Sequence, residues 1–145
     1  MKEQAQNWAV ACITFHPPDN WETRMRLVEQ SGRRLYLWKN SKEHTSAVEA
    51  VVLHEGESNV GLGPALKALL SQAKADGYDY LWYVDQDTVF TSESLRYIND
   101  FLQQQAFPST FSAIRFAEWD GKPLATNQPT ALKVLLSSGT LFRLA

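Results

Sequence analysis

The sequence predicts an α/β domain: a mostly parallel sheet flanked by helices. Three observations carry this. Short apolar runs alternate with segments of helical periodicity, in the order strand, helix, strand, strand, helix, strand, helix. The most apolar run, Leu81-Trp82-Tyr83-Val84, leads straight into the polar triplet Asp85-Gln86-Asp87. The 145 residues, 44% hydrophobic and 12% aromatic, can fill one core of ordinary size, which excludes disorder and predicts a single domain over 1–145.

Each element has its own signal. Trp8 to Phe15 is a continuous, partly β-branched apolar run halted by His16-Pro17-Pro18-Asp19, which reads as a buried strand ending in a loop. Asp19 and Glu22 have capping-box spacing, and Trp21, Met25 and Val28 follow at helical intervals up to Gly32. Leu35 to Trp38 is a second strand, cut off by Lys39-Asn40-Ser41-Lys42, and Ala50 to Leu53 a third. A polar, glycine-bearing loop runs from Glu55 to Gly63. From Ala65 the apolar residues Leu66, Leu69, Leu70 and Ala73 recur at helical spacing until Gly77. Tyr80 to Val84 is the strongest strand. Thr91 caps a further helix carrying Leu95, Ile98, Phe101 and Leu102. Ala113 to Phe116 and Val134 to Leu136 read as later strands, with Glu118 and Asp120 in a loop at Trp119-Asp120-Gly121.

Composition narrows the function. A net charge of −2 gives no basic footprint, so nucleic acid is not an expected partner. Cys12, the one cysteine, lies in an apolar run and reads as a small buried hydrophobe. His16, His44 and His54 lack metal-site spacing. The polar N-terminus and the short apolar stretch after it fit neither a signal peptide nor a membrane span. A cytoplasmic location is expected, at most peripheral to the inner face of the membrane.

The chemistry concentrates at Asp85-Gln86-Asp87. Ligands of open parallel sheets bind outside the carboxyl ends of the strands. Residues two apart on an extended segment point to the same side, so Asp85 and Asp87 can converge while Gln86 turns away. Two adjacent carboxylates repel unless a positive charge sits between them. Oxygen-only ligands select a hard cation, Mg²⁺ or Mn²⁺, which keeps waters and shares substrate phosphates. An Asp-x-Asp triplet by itself is also what a solvated turn ahead of a helix looks like.

The wider pattern resembles a family. Asn59-Val60-Gly61-Leu62-Gly63-Pro64-Ala65, a helix, and then Gly77-Tyr78-Asp79-Tyr80-Leu81-Trp82-Tyr83-Val84-Asp85-Gln86-Asp87-Thr88 look like the family 2 glycosyltransferases of GT-A fold, closest to their bacterial rhamnosyltransferase branch. Ile13-Thr14-Phe15-His16-Pro17-Pro18-Asp19 is similar to that branch's first strand and turn. Ser138-Gly139-Thr140-Leu141-Phe142-Arg143 resembles its later serine-glycine strand. The resemblance implies a domain that binds a nucleotide-diphosphate sugar (dTDP-rhamnose or a UDP-sugar) through a metal-dependent motif, for transfer to a glycan or lipid-linked acceptor in polysaccharide biosynthesis. It implies a base and ribose pocket at Thr14, Phe15, His16 and Asn40, with Asn59 and Gly61 shaping the loop beside the nucleotide. Asp85 and Gln86 would border the nucleotide, Asp85 and Asp87 would hold the metal, and Ser138 and Gly139 would border sugar and acceptor.

The chain departs from that pattern in three places. Lys39 stands where the family's base-binding aspartate usually lies, and offers donors only, so base recognition is expected to change. Lys67 replaces a helix asparagine and reads as a solvated residue. The sequence stops at Ala145, short of the segment that carries the family's acidic catalytic base. The base is therefore expected beyond Ala145, and the uncovered apolar edge around Val134 to Leu144 is expected to favour self-association. Two rival readings stand beside this one. The first is a non-catalytic nucleotide-binding remnant. The second is a haloacid dehalogenase-like phosphatase, which Asp85-Gln86-Asp87-Thr88-Val89 also resembles. That family needs a later lysine, for which Lys133 is available, and a later acidic pair, which does not follow; its motif also lies on the first strand.

Overall fold

A computed structural model describes residues 7–42, 48–56, 58–104, 107, 112–115, 118–119, 122–123 and 139–144. Along the chain come β1 (Trp8–Thr14), α1 (Trp21–Gln30), β2 (Leu35–Lys39), β3 (Val51–Glu55), α2 (Leu62–Ala75), β4 (Tyr80–Asp85) and α3 (Ser92–Gln103). The short strands β5 (Ala113–Arg115), β6 (Glu118–Trp119), β7 (Lys122–Pro123) and β8 (Thr140–Arg143) follow. Six strands form one sheet in the order β3-β2-β1-β4-β8-β5, and β6 and β7 form a separate two-stranded sheet.

The sheet is mixed, which corrects the expectation of a mostly parallel one. β1, β2, β3 and β4 run parallel, but β8 lies antiparallel to both β4 and β5. Periodicity reports which residues alternate, not which way a neighbouring strand runs. The direction of β8 is visible only in its pairing with β4 and β5, segments distant from it in sequence. Glu118 belongs to a two-residue strand rather than a loop, whereas Asp120, Lys133 and the expected strand Val134 to Leu136 lie outside the described residues.

Strand alternation sorts the core into two layers. Val10, Cys12, Leu35, Leu37, Trp82 and Val84 face one side, where α1 contributes Trp21, Met25 and Val28 and α3 contributes Leu95, Ile98 and Leu102. Ala9, Ala11, Tyr36, Leu81 and Tyr83 face the other, against Leu69 and Ala73 of α2. Each fully buried Leu, Val or Met contributes about 1.5–3 kcal/mol of burial. Cys12 is fully buried in the first layer, as expected of a small hydrophobe, and burial pushes its thiol pKa up to about 12.

The three helices start in different ways. α1 begins at Trp21 with Asn20 as its N-cap and no side-chain cap, so Asp19 and Glu22 form no capping box. A backbone turn closes the entry instead (Trp21 N to Pro18 O, 3.0 Å), and Glu22 pairs with Arg26 one turn on at 3.0 Å. α2 begins at Leu62, before its apolar stripe, because Pro64 falls in the first turn, where a missing N–H costs nothing. Thr91 caps α3 as expected, its N–H donating to Ser94 Oγ at 3.1 Å.

The placement of the helices fixes where a ligand can enter. β2 and β3 lie to one side of β1 and β4 lies to the other, while α1 and α2 cover opposite faces. The chain thus reverses its winding direction at β1, and such a switch point leaves a crevice outside the carboxyl ends of the two diverging strands. Here those ends are Ile13-Thr14-Phe15 and Asp85-Gln86-Asp87.

Candidate functional site

A cleft of about 310 Å³ opens at that point, lined by Ile13, Phe15, Asn40, Asn59, Gly61, Leu62, Tyr83, Asp85, Gln86 and Asp87. Ile13 and Phe15 come from the end of β1, Tyr83 and Asp85 from the end of β4, and Asn59, Gly61 and Leu62 from the entry to α2. A larger hollow of about 340 Å³ lies between α1 and α3, lined by Arg33, Arg96 and uncharged residues. It holds no carboxylate, and the strand-end cleft is where the acidic chemistry gathers.

Asp85 is held from two directions. The Tyr83 hydroxyl, two residues back on the same face of β4, donates to Asp85 Oδ1 at 2.7 Å. Burial, and after it the bond to Asp85, raises the Tyr83 pKa well above the ordinary tyrosine value, so the hydroxyl stays a donor. The Asp85 backbone N–H donates to Thr88 Oγ1 at 3.0 Å, and Thr88 N–H donates back to the Asp85 carbonyl at 3.0 Å. This closed turn presents Asp87, which is exposed, to the mouth of the cleft.

Gln86 lines the cleft rather than turning away from it. Its amide mimics a neighbouring strand: Oε1 accepts from Phe15 N–H at 2.8 Å, and Nε2 donates to the Phe15 carbonyl at 3.0 Å. Only one orientation of the amide satisfies both bonds. Arg24 of α1 donates through Nη2 to the Gln86 carbonyl.

The remaining expected residues divide. Asn40 is buried and accepts at Oδ1 from Trp38 Nε1 (2.9 Å) and Val60 N–H (3.3 Å), which ties β2 to the loop before α2. Asn59 accepts from Gly61 N–H at 2.8 Å, and Gly61 takes the left-handed φ of +83° that brings the chain into α2. Thr14 is buried and points to the opposite face from Ile13; its carbonyl accepts from Asn40 N–H at 2.8 Å, but it does not line the cleft. His16 adopts φ +45°, donates its N–H to Ser41 Oγ at 2.9 Å and packs its ring 4.4 Å from that of Phe15, without lining the cleft. Gly139 sits beside β4, its N–H on the Tyr83 carbonyl at 2.8 Å, without lining the cleft, and Ser138 lies outside the described residues.

Lys39 shares the face of Thr14, its register partner, so it points away from the cleft and pairs loosely with Glu55 at 3.9 Å. Lys67 is exposed, as expected. His54 stacks on Trp38 at 4.5 Å, and His44 lies outside the described residues. Sequence reasoning missed Tyr83 and Arg24. Tyr83 was discoverable, since a residue two before Asp85 on a strand must share its side. Arg24 had no such signal, because its contact spans 62 positions.

Among the described residues no group of three or more His, Cys, Asp or Glu side chains comes together as a ready-made metal cage. Two carboxylates beside an open cleft suit a hard cation that takes its other oxygens from water and from a bound ligand, the usual habit of Mg²⁺. No protein-family model and no curated protein matches this chain. Among the described residues no helix is long and apolar enough to cross a membrane.

Proposed function

We propose that the cleft binds a nucleotide-diphosphate sugar through Mg²⁺ or Mn²⁺ held by Asp85 and Asp87, and that the chain is the donor-binding part of a GT-A-type glycosyltransferase. One observation carries this reading. Asp85 and Asp87 line a single cleft with Phe15, Asn40, Asn59 and Gly61, at the carboxyl ends of strands that diverge at a winding switch.

The walls suit the two ends of such a ligand. Phe15 and Leu62, each more than two-fifths exposed, offer apolar surface to a planar base, while Asn40 and Asn59 offer amides beside it. The Asp85 and Asp87 carboxylates of the same cleft repel a bare diphosphate, so phosphate can approach only with a cation between. When bound, that cation would neutralise charge building on the departing diphosphate. Asp85, fixed by Tyr83 and the turn to Thr88, would orient it, and Asp87 would complete the protein's share of its ligands. The acceptor would be a glycan or a lipid-linked glycan, and dTDP-rhamnose and UDP-sugars are the donors to try first.

Calorimetry with UDP and dTDP, with Mn²⁺ and with a chelator, tests the reading. Binding should require the cation and should be lost in Asp87→Ala; equal affinity with and without metal would refute it. A sugar-transfer and sugar-release assay then separates an enzyme from a non-catalytic nucleotide binder. A haloacid dehalogenase-like phosphatase is the weaker alternative, because the triplet sits on the fourth strand of the chain rather than the first.

A further inference from the structure

Gln86 stands where three elements meet. Its side chain grips both backbone polar groups of Phe15 after β1, its carbonyl receives Arg24 of α1, and its chain neighbours are the two carboxylates at the end of β4. Phe15 forms one wall of the cleft with 45% of its surface exposed, and Asp85 and Asp87 form another.

We infer that Gln86 is a positioning residue that couples the nucleoside end of the cleft to its metal end, so that occupancy of either raises affinity for the other. The inference rests on the donor-binding reading of the cleft. A planar amide bonded to both the N–H and the C=O of Phe15 cannot follow a shift of one without shifting the other, so it moves with that residue as a rigid plate. A ring pressed against Phe15 therefore moves or stills Gln86. Asp85 is pinned by Tyr83 and Thr88, so the motion that remains passes to Asp87 on the exposed side of the turn. A ligand that orders Phe15 leaves less of Asp87 to be ordered by the cation, which is positive coupling, and coupling between binding sites is reciprocal.

A nucleoside carries no phosphate to bridge to the cation, so coupling between the two reports on the protein. The experiment measures Mn²⁺ affinity of the intact chain by electron paramagnetic resonance, alone and with saturating thymidine or uridine. The nucleoside should tighten Mn²⁺ about 5-fold, at the lower end of ordinary coupling. In Gln86→Met, which keeps the volume and loses both amide bonds, the ratio of the two affinities should fall to about one, whatever the single affinities become. Gln86→Glu retains only the acceptor for Phe15 N–H and should also lower the ratio; it serves if the methionine variant fails to fold. Two results would overturn the inference: independent binding of nucleoside and Mn²⁺ to the wild type, or full coupling in the folded variants. Either would leave metal-dependent binding of nucleoside diphosphates, and so the proposed function, standing. Absence of both nucleoside and Mn²⁺ binding would remove the two together.

Discussion

At the residue scale, the two aspartates differ in how the fold treats them. Asp85 accepts from Tyr83 and is locked into a turn by Thr88, whereas Asp87 is exposed at the cleft mouth. Asp87→Ala should therefore cost metal-dependent nucleoside diphosphate binding about 100-fold or more, since even outer-shell changes cost 10–100-fold. It should cost no stability in chelator, because it relieves carboxylate repulsion; a large drop in Tm without metal would assign Asp87 a structural role instead. Tyr83→Phe keeps the ring in the core and removes the donor to Asp85. Its expected signature is a loss of about 10-fold in the same binding with about 1 kcal/mol of stability. Unchanged affinity in calorimetry would show that Asp85 needs no such support. Both carboxylates could be picked out of the sequence, but only Asp85 ends the strand; Asp87 lies in the turn after it, so the expected extended spacing does not hold. Two-residue spacing along β4 does place Tyr83 on the side of Asp85, but it does not distinguish a tyrosine that bonds the carboxylate from one that only fills the core.

At the element scale, the local signals at helix ends differ in how far they fix the structure. Thr91 opens α3 because a hydroxyl there meets the free N–H groups of the first turn. The Asp19–Glu22 spacing misled because Pro17-Pro18 already set the entry through a backbone turn, leaving Glu22 to pair along the helix. α2 ends with Tyr78 N–H on the Ala73 carbonyl (3.0 Å) and Gly77 at φ +90°, where a Cβ would meet nothing within 4 Å. Gly77→Ala should therefore be penalised by backbone strain alone, about 1–2 kcal/mol. Thermal unfolding should show a Tm lower by a few degrees, with nucleotide affinity unchanged, since Gly77 lies at the opposite end of the sheet from the cleft. A variant as stable as the parent would contradict the left-handed assignment.

At the scale of the whole molecule, the buried acids predict how stability depends on pH. The Cys12 thiol ordinarily loses its proton near 9.0, but burial holds it to about 12 in the folded state. The folded state then binds more protons than the unfolded one between those values, so stability is complete below pH 9 and declines above it. The slope is about 1.4 kcal/mol per pH unit from this group. Tyr36 and Tyr83, also raised mainly by burial, add a decline of the same sign above pH 10. Tm measured between pH 8 and pH 10 should fall from about pH 9, and Cys12→Ala should flatten that first part of the curve. A curve flat to pH 10 in the parent would show that the thiol is not buried as described.

What the sequence determined by itself was local: the α/β class, the order of the elements through α3, and the carboxylate pair at the end of the most apolar strand. Those follow from periodicity and from chemistry two to four residues apart, which a single chain displays directly. Only the tertiary structure decided that the sheet is mixed, that Lys39 and Thr14 face away from the cleft, and that Gln86 bonds Phe15 from 71 positions away. Strand direction and side-chain partnership across the sheet depend on which distant segments pair. That choice is set by how the two apolar layers close around β1 and β4, and no local pattern records it.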